Sequence, residues 1–183
     1  MALLQTPAKD ESFYAPDFTL KNIDESAVSL SDVKGENGTL VMFICNHCPY
    51  VKGITDRLAS TMKQLQDKGI GVVAVMSNDT ENYPEDSFEN MKIFAQENSF
   101  TFPYVIDETQ EVGKAYGAVC TPDFFGFDAD GKLQYRGRLD SSGHQPANDE
   151  TVPELLNAMS TIAAGQPGPT DQTPSMGCSI KWK

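Results

Sequence analysis

Two kinds of apolar pattern alternate along the chain. Residues 39–44 and 69–76 are short, nearly unbroken apolar runs bounded by turn formers, which predicts buried strands. Between them Ile54, Leu58, Met62 and Leu65 recur at spacings of three and four, so they share one helix face directed at a sheet. A strand, a crossover helix and a second strand in that order make a parallel βαβ unit. The alternation continues with a helix over 87–97, carried by Phe88, Met91 and Phe94, a strand at 104–106 and a short helix over 110–116. Residues 124–127 and 132–136 flank Asp128-Ala129-Asp130-Gly131, a composition that predicts a tight turn between antiparallel strands. That acidic stretch lacks the ligand spacing and terminal glutamate of a calcium loop. A last helix is expected over 152–164, and a small hairpin of 17–20 and 27–30, turning near 22–25, precedes the core. The expected class is α/β, a central mixed sheet flanked by helices, with no internal repeat.

After residue 164 the pattern stops. Residues 165–174 are rich in Gly and Pro and too poor in apolar side chains to fold alone. Residues 175–183 then recover apolar content and carry the single tryptophan, Trp182. One domain over 1–164 is expected, followed by a linker and a tail over 165–183 able to dock on it. A purely disordered tail has no need of Ile180 and Trp182, whereas a docking tail would bury both and bring Cys178 toward the rest of the protein.

Charge narrows the partners. The 183 residues hold 26 acidic against 14 basic side chains, a formal charge of -12, so phosphate backbones and anionic lipid are repelled and neither nucleic acid nor membrane is expected as partner. The first residues lack the basic and apolar regions of a secretory signal, which gives the expectation of a cytoplasmic protein. The acidic surplus is expected on the solvated surface.

Four cysteines are too few for a disulfide framework, and their placement carries the chemistry. Cys45-Asn46-His47-Cys48 joins the end of a predicted strand to the start of a predicted helix, the context in which paired cysteines read as a redox site. A helix N-terminus favours a thiolate, the attacking species in disulfide exchange. Pro49 favours Cys48 as the residue that caps the helix, since proline is preferred at the first helical position. In the other register, with Cys45 at the cap, Pro49 falls where the first intrahelical hydrogen bond should form. Cys48 is therefore the expected nucleophile and Cys45 its partner, with His47 as a supporting charge. A zinc site drawn from Cys45, His47, Cys48, Cys120, His144 and Cys178 is the rival, but a structural zinc site usually shows a second close pair, and no metal or other cofactor is expected.

Four stretches together resemble the thioredoxin-like superfamily, and within it the peroxiredoxin-like redoxins related to alkyl hydroperoxide reductase and thiol-specific antioxidant proteins. They are residues 15–20 (Ala-Pro-Asp-Phe-Thr-Leu), 43–52 around the cysteine pair, 116–123 (Tyr-Gly-Ala-Val-Cys-Thr-Pro-Asp) and 177–183 (Gly-Cys-Ser-Ile-Lys-Trp-Lys). The resemblance implies a thioredoxin-like fold in which Thr121-Pro122 is a cis-proline loop facing the redox cysteines. Departures limit it. Peroxiredoxins resemble one another in Pro-x-x-x-Thr/Ser-x-x-Cys, yet counted back from Cys48 this chain has Cys45 at the hydroxyl position and Val41 at the proline position. Arg136 and Arg138 are the candidates for the arginine that such sites use.

These readings converge on a thiol-disulfide oxidoreductase acting on protein or small-molecule thiols and disulfides, re-reduced by a thiol system such as thioredoxin or glutathione. Cys178 and Cys120 are the candidate resolving thiols. A thiol peroxidase acting on peroxides and a redox-sensing binding module without turnover are the alternatives, since a fold alone does not fix function.

Overall fold

The computed structural model describes residues 2–183. A seven-stranded mixed sheet runs in the order β3-β2-β6-β5-β4-β8-β9. Its centre is β4 (Gly38–Phe43), β5 (Ile70–Met76) and β6 (Tyr104–Ile106), all parallel. On one side β8 (Asp123–Phe127) and β9 (Leu133–Tyr135) add antiparallel strands, and on the other β2 (Thr19–Asn22) and β3 (Ala27–Ser29) do the same.

The apolar runs of β4 and β5 lack alternation because both faces are covered. Leu40, Met42, Val72 and Ala74 face one core, against α3 (Thr55–Asp67), α4 (Phe88–Glu97) and α6 (Glu154–Ala163). Val41, Phe43, Val73 and Val75 face the other, with Phe125, Phe127 and Tyr116 of α5 (Glu111–Tyr116). The expected βαβ unit is present, but its helix is split. A short α2 (Pro49–Lys52) precedes α3, and the break falls at Gly53, where a Cβ would lie 2.3 Å from the His144 carbonyl oxygen.

Two expected elements shift. The first strand of the N-terminal hairpin lies at Thr19–Asn22, two residues later than periodicity suggests, because Lys21 and Asn22 pair with Ile106 and Val105. Its second strand stops at Ser29, which caps α1 (Leu30–Val33) through a reciprocal box with Asp32. The last helix starts at Glu154 rather than 152, since a residue before proline is kept out of helical geometry and Pro153 serves as the cap.

Beyond the sequence reading, a second sheet joins three distant segments: β1 (Leu3–Gln5), β10 (Met176–Ser179) and β7 (Cys120–Thr121), in the order β1-β10-β7. The Gly/Pro-rich segment leading to β10 is strung along β9: Gln172 accepts from the Arg136 amide at 2.8 Å and donates to the Gln134 carbonyl at 2.9 Å. Ile180 is buried, as a docked tail requires, whereas Trp182 stays 39% exposed, its ring under the Lys114 ammonium.

The α3 face carries the packing between helix and sheet. Leu58 is fully buried there, so Leu58→Ala should lower unfolding free energy by about 3.5 kcal/mol, the middle of the range for such cavities, in a urea titration followed by circular dichroism.

Candidate active site

The end of β4 delivers Cys45 and Cys48 to the carboxyl edge of the parallel strands. Cys48 caps α2 with extended backbone (φ -70°, ψ 126°), and Pro49 occupies the first helical position. That helix has four residues, and its cap makes no side-chain hydrogen bond, so the local positive end of a long helix is not what stabilises sulfur here.

Neighbouring side chains do that work instead. Cys178 Sγ lies 2.9 Å from Cys48 Sγ, and the Thr121 hydroxyl lies 3.5 Å from Cys45 Sγ. As a thiol, Cys48 donates to the Thr121 carbonyl at 3.3 Å; as a thiolate it accepts from its neighbours. Hydrogen bonding from the Cys45 thiol, joined by Cys178 and Thr121, outweighs burial and holds the Cys48 thiol down at about 4. The same bond keeps the proton on Cys45, whose value stands well above an ordinary thiol's, with burial and the Asp86 carboxylate adding to it. Burial, then the bond to Cys48, pushes Cys178 up to about 12. One charged sulfur is thus flanked by two neutral ones.

Thr121 and Pro122 are joined by a cis peptide bond, as the resemblance implies, and Thr121 stands against both Cys45 and Cys48. Cys120 is fully buried on the same strand, and its thiol contacts the Pro122 carbonyl at 3.7 Å. Burial, with Asp123 adding to it, raises that thiol far above the ordinary range. No hydrogen bond joins Cys120 to the other three among the described residues.

His47 turns toward Asp86. Its Nδ1 is 2.7 Å from Asp86 Oδ2, off the line of a directed hydrogen bond, and its ring stacks on Tyr83 with centroids 5.9 Å apart. None of the hydrogen bonds to Cys48 comes from it. Asp86 was not anticipated: acidic residues were expected on the surface, yet this carboxylate is fully buried, accepting from the Asn46 amide (2.8 Å) and the Asn78 side chain (2.9 Å). Asn46, between the two cysteines, also accepts from the Tyr104 hydroxyl at 2.8 Å and donates to the Glu85 carbonyl at 3.1 Å, which fixes the loop from three sides. Its position inside Cys-x-x-Cys was the available signal; Asp86 had none.

Cys45, His47 and Asp86 place ligand atoms within 4.8 Å of one another. Cys120 and His144 do not join that group, and Asp86 already serves two donors. The arginines are engaged elsewhere. Arg136 forms a buried pair with Asp123 (2.9 Å) and donates to the Gly117 carbonyl, while Arg138 pairs with Glu154 at 2.5 Å. Neither bonds to a cysteine among the described residues. Beside Pro122, a cavity of about 280 Å³ opens between Tyr50, Phe124, Leu139 and Met176, with Arg138 and His144 at its wall.

Similar proteins share this arrangement's frame. A crystal structure of an uncharacterised conserved protein from Geobacillus kaustophilus is 47% identical, with a TM-score of 0.93, covering 100% of this chain and 97% of its own. The thioredoxin domain of a thiol-disulfide oxidoreductase from Bacteroides vulgatus, at 24% identity and a TM-score of 0.59, covers 70% of this chain and 89% of its own, and carries the thioredoxin-like fold. The thiol-disulfide oxidoreductase ResA of Bacillus thuringiensis subsp. konkukian is 25% identical over 119 residues, or 65% of this chain, and the match spans 64% of that relative's length. Residues 14–136, which contain both Cys45 and Cys48, match the AhpC/TSA family, and the chain belongs to it.

Proposed function

We propose that this protein is a thiol-disulfide oxidoreductase in which the Cys48 thiolate attacks a disulfide and Cys45 is the partner thiol of the pair. The observation that carries this reading is the geometry of the site: two cysteines on one loop, Cys48 at the cap of α2 with Cys178 Sγ at 2.9 Å and Cys45 against the Thr121 hydroxyl, an arrangement that lowers the Cys48 thiol to about 4 and raises Cys45. A thiolate that persists at neutral pH is a nucleophile, and a protonated neighbour supplies the second reducing equivalent. The similarity to ResA supports the same reaction class. The substrates are protein or small-molecule disulfides, with a thiol system such as thioredoxin or glutathione as reductant. Thr121 and Pro122 position the incoming disulfide, and His47 with Asp86 fixes the loop between the cysteines.

A peroxidase role has less support. Family membership allows it, but Cys45 stands where peroxidatic sites hold a hydroxyl, and both nearby arginines are paired with carboxylates. The reduced protein should therefore be oxidised by hydrogen peroxide more slowly than by a small disulfide in stopped-flow mixing. Fast, saturable peroxide consumption would shift the assignment to a peroxidase.

The titration of Cys48 gives a second test. Its folded value lies below that of a free thiol, about 8.5, so the thiolate stabilises the fold above the unfolded value and that contribution is lost as pH falls through about 4. Thiolate ultraviolet absorbance of the reduced protein should show a step near that pH which is missing in Cys48→Ser. A Cys48 step at or above about 8.5 contradicts the assignment. Cys48→Ser should also lower the rate of disulfide exchange by about a thousandfold or more, while Cys45→Ser should keep the first, adduct-forming step.

A further inference from the structure

We infer that the C-terminal strand is a tethered redox partner of the site: Cys178 resolves the mixed disulfide formed at Cys48, and β10 covers Cys48 between turnovers. The inference rests on Cys48 being the nucleophile, and it assigns to the tail a step that the Cys45/Cys48 pair alone would otherwise perform.

Backbone geometry comes first. β10 lies antiparallel between β7 and β1, with Cys178 opposite Thr121 on one side and Leu3 on the other. The Thr6 amide donates to the Ser175 carbonyl at 2.9 Å, the Ser175 hydroxyl donates to the Pro122 carbonyl at 2.7 Å, and the Ile180 amide donates to the Val119 carbonyl at 3.1 Å. The strand thus lies along the cis-proline loop as an added extended segment would, and its cysteine meets the nucleophile at 2.9 Å. Gly177 makes the approach possible: a Cβ there would sit 1.9 Å from the Thr121 carbonyl oxygen. With the strand in place Cys48 is 0% exposed and Cys178 4%, so an external disulfide reaches Cys48 only when β10 lifts.

Electrostatics then bears on both neutral thiols. While Cys48 is a thiolate, it holds protons on both neighbours. Once Cys48 is tied up in a mixed disulfide its charge is gone, and with it part of what restrains Cys178, while Lys181 continues to favour the Cys178 thiolate. Cys45 is likewise released from the bond to Cys48, its largest restraint, while burial and the Asp86 carboxylate still oppose a negative charge on it. The first attack thus eases both thiols, and it is the 2.9 Å contact with Cys48 Sγ that places Cys178 to resolve.

The chemistry balances. The Cys48 thiolate attacks a substrate disulfide, its sulfur bonds to one substrate sulfur, and the other leaves as a thiolate. Cys178 then attacks Cys48 Sγ and passes its proton to the second departing substrate sulfur. An internal Cys48–Cys178 disulfide results, and the two electrons of the two protein thiols reside on the reduced substrate.

The full-length chain carrying Cys45→Ser and Cys120→Ser, fully reduced, would be treated with one equivalent of oxidised glutathione, followed by non-reducing peptide mapping and an assay of free glutathione. Expected are a Cys48–Cys178 linkage and two glutathione thiols released per chain. A persistent glutathione adduct on Cys48, with one thiol released, overturns the resolving role while leaving the nucleophile intact. An adduct elsewhere, with Cys48 free, instead removes the reading on which the inference rests. The cover is tested by Gly177→Ala in the otherwise unaltered chain, which should speed alkylation of Cys48 by about tenfold or more because local opening becomes easier. An unchanged rate overturns the covering role, and the mapping result stands even where that variant folds poorly.

Discussion

One sulfur organises the site. Among the described residues no basic side chain hydrogen-bonds to Cys48; its thiolate is favoured by hydrogen bonds from three segments that the chain order keeps far apart, namely Cys45 at the end of β4, Thr121 on β7 and Cys178 on β10. A buried anion without such donors is costly, so the site exists only where all three segments are assembled. The sheet supplies this assembly. β4 is central and paired on both sides, its neighbour β8 begins one residue after Pro122, and the cis-proline loop is thereby fixed relative to the cysteine loop.

A second layer of buried polar groups keeps the cysteine loop in place. Asp86, Asn46, Asn78 and Tyr104 form a chain of hydrogen bonds beneath it, and the His47 ring lies against Asp86 without a directed hydrogen bond. Asp86 does two things at once: it anchors the loop through the Asn46 amide, and its charge keeps Cys45 protonated. Hydrogen bonds among buried groups such as these four fix one geometry where an apolar core would tolerate several.

Much of the frame was legible because periodicity reports local burial. β4, β5 and the α3 face are set by side chains that pack against their own sheet, and Pro49 identified the capping cysteine. What escaped detection depends on distant pairing. β7 has two residues and β10 holds a glycine and a serine among its four, so neither shows a strand pattern; each is extended because the other is there. Asp86 looked like any surface acid, since burial of a carboxylate is decided by donors on other segments. The tail cysteine was visible as a candidate, but its place 2.9 Å from Cys48 follows from the β1-β10-β7 sheet, which no local window contains. The expected burial of Trp182 failed for a related reason: Ile180 fills the core position on that strand's continuation, and Trp182 is left to cover Gly113 at the surface.

The pairing of β10 with β1 and β7 also has a bearing on biosynthesis. A ribosome makes the cysteine loop before residues 176–179, so the nascent protein carries Cys45 and Cys48 for an interval without the strand that packs beside Cys48. Docking of that strand is among the longest-range contacts in the chain, and closure of such contacts is slow relative to local folding. Newly made molecules therefore pass through an interval in which Cys48 lacks its Cys178 neighbour, and the seating of β10 completes the groups around that sulfur.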